Sequence, residues 1–168
     1  MANSSYQTTR LQVGEVFNSN QTPEFLESVM EILTPRVVAS LPPYFQNVNS
    51  ISTAQEWLKQ VFSDGRLFVV KLIGERKAIG FVFLSAENSG DTHIGYLLGE
   101  SYWDKGNATE ILKGLIDFIE SEGQVIRLIS GVATDNIASV KLLQKLGFIH
   151  SSSEDDGTMF YQYRLSPK

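Results

Sequence analysis

Residues 92–109, THIGYLLGESYWDKGNAT, combine types and an order that could do chemistry. The stretch opens with the strand-like apolar residues Ile94, Tyr96, Leu97 and Leu98, turns through Gly99-Glu100-Ser101, and reaches Trp103-Asp104-Lys105-Gly106-Asn107-Ala108. An apolar-periodic segment, 111–119, follows at once. A strand that turns through small residues into a helix start gathers unpaired backbone N–H groups at one point, and the positive end of the helix dipole adds to them. Such a point seats a phosphate or pyrophosphate. Bulk at Gly106 or Ala108 would keep that ligand from the backbone. The competing reading is an ordinary strand-to-helix turn, and on this stretch alone the two weigh about equally.

The elements that must position this turn follow from periodicity. Residues 1–9 are polar and are expected to be loose. Residues 11–17 alternate as a first strand, and 18–21 form a turn. Thr22-Pro23-Glu24 starts a helix, with Thr as N-cap and Pro at the first helical position. Phe25, Leu26, Val29, Met30, Ile32 and Leu33 recur at helical spacing until Pro35, after which 37–41 extend or restart the helix before Pro42-Pro43. Residues 44–50 read as a polar loop. Ser52 and Gln55 have the spacing of a capping box opening a helix with Trp57, Leu58, Val61 and Phe62 on one face, ended by Asp64-Gly65. Residues 67–73 and 78–84 pair as a hairpin, and the turn at 88–91 leads into the strand at 92–98. The helix after Gly106 stops at Gly123. A strand at 125–132, a helix capped by Asp135 or Asn136 and ended by Gly147, and a closing hairpin around Glu154-Asp155-Asp156-Gly157 complete the chain. The order is β-αα-βββ-α-β-α-ββ, a single α+β layer structure.

Bulk composition narrows the function classes. The chain has 168 residues, which suggests one domain (1–168) with a sizeable core. A net charge of −5 and a pI near 5.0 give no global attraction to nucleic acid or anionic membrane. Without cysteine there is no disulfide framework, no thiolate nucleophile and no cysteine-based metal site. The two histidines, His93 and His150, lie too far apart for an obvious metal cluster, so no metal is expected. Neither a signal peptide nor an apolar run of membrane length is visible, and a cytoplasmic protein is the default expectation.

The element order and two motifs resemble the GNAT N-acetyltransferase superfamily. Its acyl-CoA motif, Gln/Arg-x-x-Gly-x-Gly/Ala, is met here by Trp103-Asp104-Lys105-Gly106-Asn107-Ala108, with Trp in the first position. That departure, with Tyr102, Lys105-Gly106 and Ala108-Thr109-Glu110, resembles the ribosomal-protein-alanine N-acetyltransferase (RimJ/RimL-like) branch, Y-W-G-K-G-Y-A-T-E; Asp104 and Asn107 differ from it. A second motif, Asn-x-x-Ala/Ser-x-x-Leu-x-x-x-x-Gly-Phe, is met by Asn136, Ser139, Leu142, Gly147 and Phe148. Either motif alone is weak, and the two in the right order are strong.

The resemblance implies the acyl-CoA N-acyltransferase (GNAT) fold, an α+β fold with a mixed, mostly antiparallel central sheet flanked by helices. It implies acetyl-CoA as cosubstrate, with the strand at 94–99 splaying at a bulge so that Leu97, Leu98 and Gly99 pair with the pantetheine arm. It places the pyrophosphate on amides of Lys105, Gly106, Asn107, Ala108 and Thr109, with Asn136 bonding a pantetheine amide. A plain helix N-cap is the alternative for Asn136. The tyrosine that many members carry as acid falls at Leu143 and is absent. Ser139, one helical turn earlier, is the proton-donor candidate, unless it merely bonds a helix carbonyl or the sulfur. His93 is the candidate base, although a lone strand-edge His is more often structural or solvated. Glu100, Glu154, Asp156 or a water chain are alternatives. Tyr44, Phe45 and Trp57 could line an acceptor pocket, with Trp57 expected in the core.

The expected activity is therefore direct acetyl transfer from acetyl-CoA to a primary amine, either a protein N-terminus or a small amine, with a homodimer admitted by the branch. A catalytically idle acetyl-CoA-binding sensor or interaction module is the alternative. A nucleotide phosphotransferase is disfavoured because neither glycine-rich phosphate motif is present.

Overall fold

The computed structural model describes residues 4–87, 90–123 and 125–165. The described residues form eight strands: β1 (Ser5–Gln7), β2 (Leu11–Val16), β3 (Arg66–Leu72), β4 (Ala78–Ala86), β5 (Asp91–Leu98), β6 (Arg127–Ala133), β7 (Ile149–Ser153) and β8 (Thr158–Arg164). They form one sheet in the order β1-β2-β3-β4-β5-β6-β8-β7. Every pairing is antiparallel except β5 with β6. The helices are α1 (Pro23–Ile32), α2 (Pro35–Val38), α3 (Ile51–Asp64), α4 (Asn107–Glu122) and α5 (Ile137–Lys145).

Because side chains alternate across a strand, the sheet presents two apolar faces, and each is covered. On one face, Leu11, Val13, Phe68, Val82, Ile94 and Leu98 pack with Ile111, Leu112 and Leu115 of α4 and Leu143 of α5. On the other, Leu67, Phe81 and Leu97 pack with Leu26 and Val29 of α1 and Trp57, Leu58 and Val61 of α3. This is the mixed, mostly antiparallel sheet flanked by helices that the sequence led us to expect. None of the described helices is long and apolar enough to cross a membrane.

Three local expectations are corrected. Residues 5–7, expected to be loose, form β1 against β2. Tyr6 holds the strand there: its hydroxyl donates to the Ile111 carbonyl at 2.8 Å, and its ring stacks on Phe118 at 5.4 Å. Residues 1–3 lie outside the described residues, as do Asn88 and Ser89 of the expected β4–β5 turn. The capping box of α3 belongs to Ser50 and Thr53 rather than to Ser52 and Gln55. Ser50 has extended backbone and accepts from the Thr53 amide at 3.1 Å, while Thr53 Oγ1 accepts from the Ser50 amide at 2.9 Å. A threonine thus fills the reciprocal role usually taken by Glu or Gln. The polar loop at 44–50 contains a short 3-10 turn (Pro43–Phe45) and two core residues, Phe45 and Val48. Phe45 meets Trp57 edge-on at 5.6 Å, so aromatic packing outweighs the polar composition around it.

The shifted cap is testable. Ser50→Ala should destabilise the protein by about 1 kcal/mol in urea unfolding, while Ser52→Ala, at an exposed position without a capping role, should change it by only a few tenths. Equal losses from the two variants would return the cap to Ser52.

Candidate active site

Strand β5 is paired to β6 at only one end. The parallel ladder joins Asp91 to Arg127, Thr92 to Leu128 and His93 to Ile129, and no pairing between the two strands continues past His93. β6 instead follows β8 along its whole length. The expected splay is present, but the expected bulge is not, because the β4–β5 register runs without a shift from Gly80↔Leu98 to Ala86↔Thr92. The divergence of β6, not an extra residue in β5, opens the gap.

The same ladder fixes which backbone groups face that gap. The Gly99 amide donates to the Ile79 carbonyl at 2.8 Å. In an antiparallel pair, successive residues turn their backbone groups alternately toward and away from the partner. The backbones of Gly99 and Leu97 therefore face β4, and those of Tyr96 and Leu98 face the gap. One of the latter is occupied: Trp103 Nε1 donates to the Leu98 carbonyl at 2.9 Å. Trp103, the unusual residue of the motif, fastens the turn to the strand.

At the start of α4, Gly106 is the N-cap in left-handed conformation, φ 80°, and no side chain caps the helix. A residue with a Cβ is strained there. The Glu110 amide donates to the Gly106 carbonyl at 3.1 Å, so the amides of Asn107, Ala108 and Thr109 precede the first intrahelical bond. Asn107 itself turns inward, its Nδ2 donating to the Tyr102 carbonyl at 3.1 Å. Its Oδ1 is buried and has no hydrogen-bond partner among the described residues. Glu110 anchors the helix from below. It accepts from the Arg10 amide and from Arg10 Nε, each at 2.8 Å, and from the Thr8 hydroxyl. Arg10 Nη1 also donates to the Lys105 carbonyl at 3.0 Å, which brings a cation beside the turn. Burial would raise the Glu110 carboxyl, but the bonds from Thr8 and Arg10 outweigh it and hold the group below its ordinary value.

Two cavities flank the open part of β5. One, of about 600 Å³, reaches the α4 start and is walled by Trp103, Gly106, Asn107, Ala108 and Thr109. The other, of about 550 Å³, runs toward Tyr44, Asp64, Ser85 and His93. Both are bounded by Ser40, Leu41, Tyr96, Leu97, Asn136 and Ser139, so they meet at one junction. Asn136 is the N-cap of α5, its Oδ1 accepting from the Ser139 amide at 3.3 Å. That cap aims Ser139 across the gap, where its Oγ lies 3.2 Å from the Tyr96 hydroxyl. Burial pushes the Tyr96 phenol upward, and the Ser139 hydrogen bond opposes part of that shift.

Of the residues singled out in the sequence, Leu97, Leu98, Gly106, Asn107, Ala108, Thr109, Asn136 and Ser139 therefore border the first cavity. Gly99 and Lys105 do not; the Lys105 ammonium lies 6.0 Å from the centre of the Tyr102 ring. His93 lines the second cavity, with Nε2 2.7 Å from Glu87 Oε1. Glu100 pairs with Arg36. Glu154 and Asp156 sit in an exposed turn, where Asp156 accepts from the Thr158 amide at 3.0 Å and is held below its ordinary value by that bond. Tyr44 and Phe45 line the second cavity, and Trp57 is fully buried in the core. Tyr96 was missed as a polar group. Its alternation with Ile94 and Leu98 put it on the α5 face of the strand, but only the splay shows that its hydroxyl meets Ser139.

The acetyltransferase (GNAT) domain family matches residues 20–149. The chain belongs to this family. As a GNAT protein it is 39% identical over 69 residues to the uncharacterized N-acetyltransferase p20 of Bacillus licheniformis, an alignment covering 41% of this chain and 38% of that protein. The chain spans only about two fifths of the length of the curated relatives it matches. Its fold is similar to that of a GNAT-family acetyltransferase from Bacillus anthracis, with a TM-score of 0.78, 18% identity, and coverage of 95% of this chain and 98% of the other. It is also similar to RimL, the ribosomal L7/L12 alpha-N-protein acetyltransferase solved in complex with coenzyme A, with a TM-score of 0.80, 16% identity, and coverage of 99% and 100%. Among the described residues of this GNAT domain, no group of three or more His, Asp or Glu side chains is placed to hold a metal ion.

The Glu110 anchor makes stability depend on pH in a stated direction. Its folded-state pKa lies below the ordinary value of 4.5, so its contribution is present above that value and fades as pH falls through the folded value. Glu110→Gln should lower the melting temperature at neutral pH, and the gap to the unsubstituted protein should close on acidification. A gap that is unchanged through strongly acidic pH would show that the charge of Glu110 is not what matters.

Proposed function

We propose that this chain, acting as one domain, transfers an acetyl group from acetyl-CoA directly to a primary amine. The observation that carries the proposal is the junction itself: two cavities of comparable size meet where the Tyr96 and Ser139 hydroxyls face each other across a half-open strand edge. The first cavity fits the cosubstrate. It ends at an uncapped helix start with a glycine that leaves its backbone bare, and a strand edge with outward backbone groups leads to it.

In this reading, the amides of Asn107, Ala108 and Thr109 hold the pyrophosphate, Gly106 lets it approach, and Lys105 and Arg10 favour its charge. Tyr96 and Leu98 offer backbone groups to the pantetheine arm, Leu97 forms the wall beside it, Gly99 holds the strand to β4, and Asn136 offers its amide. Acetyl-CoA supplies the acetyl group already activated as a thioester. The amine nitrogen gains a bond to the acetyl carbon as the carbon–sulfur bond breaks. His93, in the second cavity, takes a proton from the amine directly or through water. The Ser139–Tyr96 pair returns a proton to the departing sulfur, Tyr96 serving where Leu143 leaves the family's usual tyrosine absent. The setting is the cytoplasm, where acetyl-CoA is available, and a homodimer is compatible with this scheme. A catalytically idle acetyl-CoA-binding module is the second reading. The specific observation in its favour is that His93 is already engaged by Glu87.

Two measurements test the assignment. Acetyl-CoA, but not NADH or ATP, should raise the melting temperature by mass action, and Gly106→Trp should abolish that rise while the free protein remains folded. An undiminished rise in the variant would remove the phosphate seat from the α4 start. Ser139→Ala and Tyr96→Phe should each lower the turnover number for thiol release by about 100-fold, with acetyl-CoA affinity changing much less. Equal losses in turnover and affinity would make the pair binding groups; binding without thiol release in any amine would favour the idle module.

A further inference from the structure

The second cavity ends at a carboxylate that acetyl transfer does not use. Asp64, the last residue of α3, lines the cavity together with Tyr44. The helix end is fixed in place: the Asp64 carbonyl accepts from Ser85 Oγ at 2.9 Å. The next residue is a glycine because a Cβ there would lie 2.1 Å from the Leu84 carbonyl oxygen. The Asp64 carboxylate accepts from Gln60 Nε2 at the long distances of 3.3 and 3.4 Å and also shares a side-chain hydrogen bond with the Tyr44 hydroxyl. The negative end of the α3 dipole adds to its field.

The guanidinium that lines the same cavity, that of Arg66, is committed elsewhere. Arg66 forms a two-pronged pair with Glu15, with both bonds at 2.9 Å, reaches Glu122 at 3.5 Å, and lies over the Phe68 ring. Between Asp64 and the Tyr96–Ser139 junction the wall is largely apolar, formed by Phe45, Val61, Phe83, Leu84 and Leu97. The strand distance supports an elongated ligand. Ser85, which holds the end of α3, pairs with His93, and Tyr96 lies three residues further along β5, a run of roughly 10 Å.

We propose that Asp64 is a specificity-determining residue that binds a second cationic group of the acceptor, which is therefore a diamine or polyamine with a methylene spacer. The inference rests on the acetyl-transfer reading. One amine reacts at the junction, the spacer lies along the apolar wall, and the distal ammonium donates to Asp64. An acceptor with a carboxylate in the distal position is disfavoured by repulsion.

The test compares acetyl-CoA thiol release with putrescine, cadaverine and hexamethylenediamine against n-butylamine, n-pentylamine and n-hexylamine. The best diamine should exceed its matched monoamine in kcat/KM by about tenfold, the scale of a hydrogen bond to a charged group. Asp64→Asn should remove that advantage mainly through KM, and Asp64→Glu should keep most of it. Calorimetric titration of hexamethylenediamine into the protein with bound CoA should show the same dependence on Asp64. Monoamines turned over as well as diamines, or an Asp64→Asn loss equal for both series, would overturn this inference and leave acetyl transfer standing. Thiol release with no amine at all would overturn acetyl transfer and this inference with it.

Discussion

The cleft depends on two neighbouring strands being joined at one end and free at the other. Three parallel pairs hold β5 to β6, and beside them Arg127 grips Asp91 with a fork, Nε to Oδ1 at 2.9 Å and Nη2 to Oδ2 at 2.8 Å. The Asp91 carboxylate is buried, and a two-pronged guanidinium satisfies both of its oxygens in a fixed geometry. Arg127 also donates to the Gln162 side chain at 3.1 Å, so the pin extends across β6 to β8. Without such a clasp the strands would have no reason to start together and then part. With it, β6 stays registered to β8 while β5 stays registered to β4, and the space between them becomes two cavities.

An open strand edge is a hazard, since its unpaired groups invite any passing strand. This protein covers the edge only in part. Trp103 occupies the Leu98 carbonyl, α2 borders the first cavity and Ser40 and Leu41 after it border both, and Arg36 of α2 reaches across to Glu100. What is left is a short run of donors and acceptors ending at the uncapped start of α4. Polar backbone left bare beside an apolar core is costly unless water or a ligand meets it. On the other face, Phe45, Trp57, Phe81 and Phe83 join into one aromatic layer behind the sheet.

Much of this was legible in the chain because it is local. Thr22-Pro23, Gly106, Gly123 and Asn136 marked helix ends by their own backbone chemistry, and the structure shows Thr22, Gly106 and Asn136 as N-caps and Gly123 as a left-handed C-cap. The hairpin β3–β4 followed from β-branched runs around Gly74. What failed needed tertiary information. Tyr6 orders β1 through a bond to Ile111, 105 residues away, which no window of sequence contains. Phe45 looked like a loop residue until α3 and β4 brought Trp57 and Phe83 to it. The choice between Ser50 and Ser52 turned on a threonine acting where Glu or Gln was sought. The family resemblance named the right strand for the gap, but the parity of its backbone groups depends on the register with β4 and could not be counted from the motif.

In the proposed mechanism, the meeting of Tyr96 and Ser139 lets a function move between elements without the fold changing. In the family pattern the acid is a tyrosine on the helix after the Asn cap; here that place is Leu143, a buried wall residue packed against the sheet. A phenol on β5 reaches the same junction from the opposite side, since residue 96 and residue 98 share the face that looks at α5. The exchange is physically cheap. A leucine at 143 completes an apolar layer that a phenol would interrupt, and the tyrosine at 96 keeps its ring in that layer while its hydroxyl finds Ser139. A motif read residue by residue records the missing tyrosine as a loss. The splay of the strands brings another hydroxyl to the place where the two cavities meet.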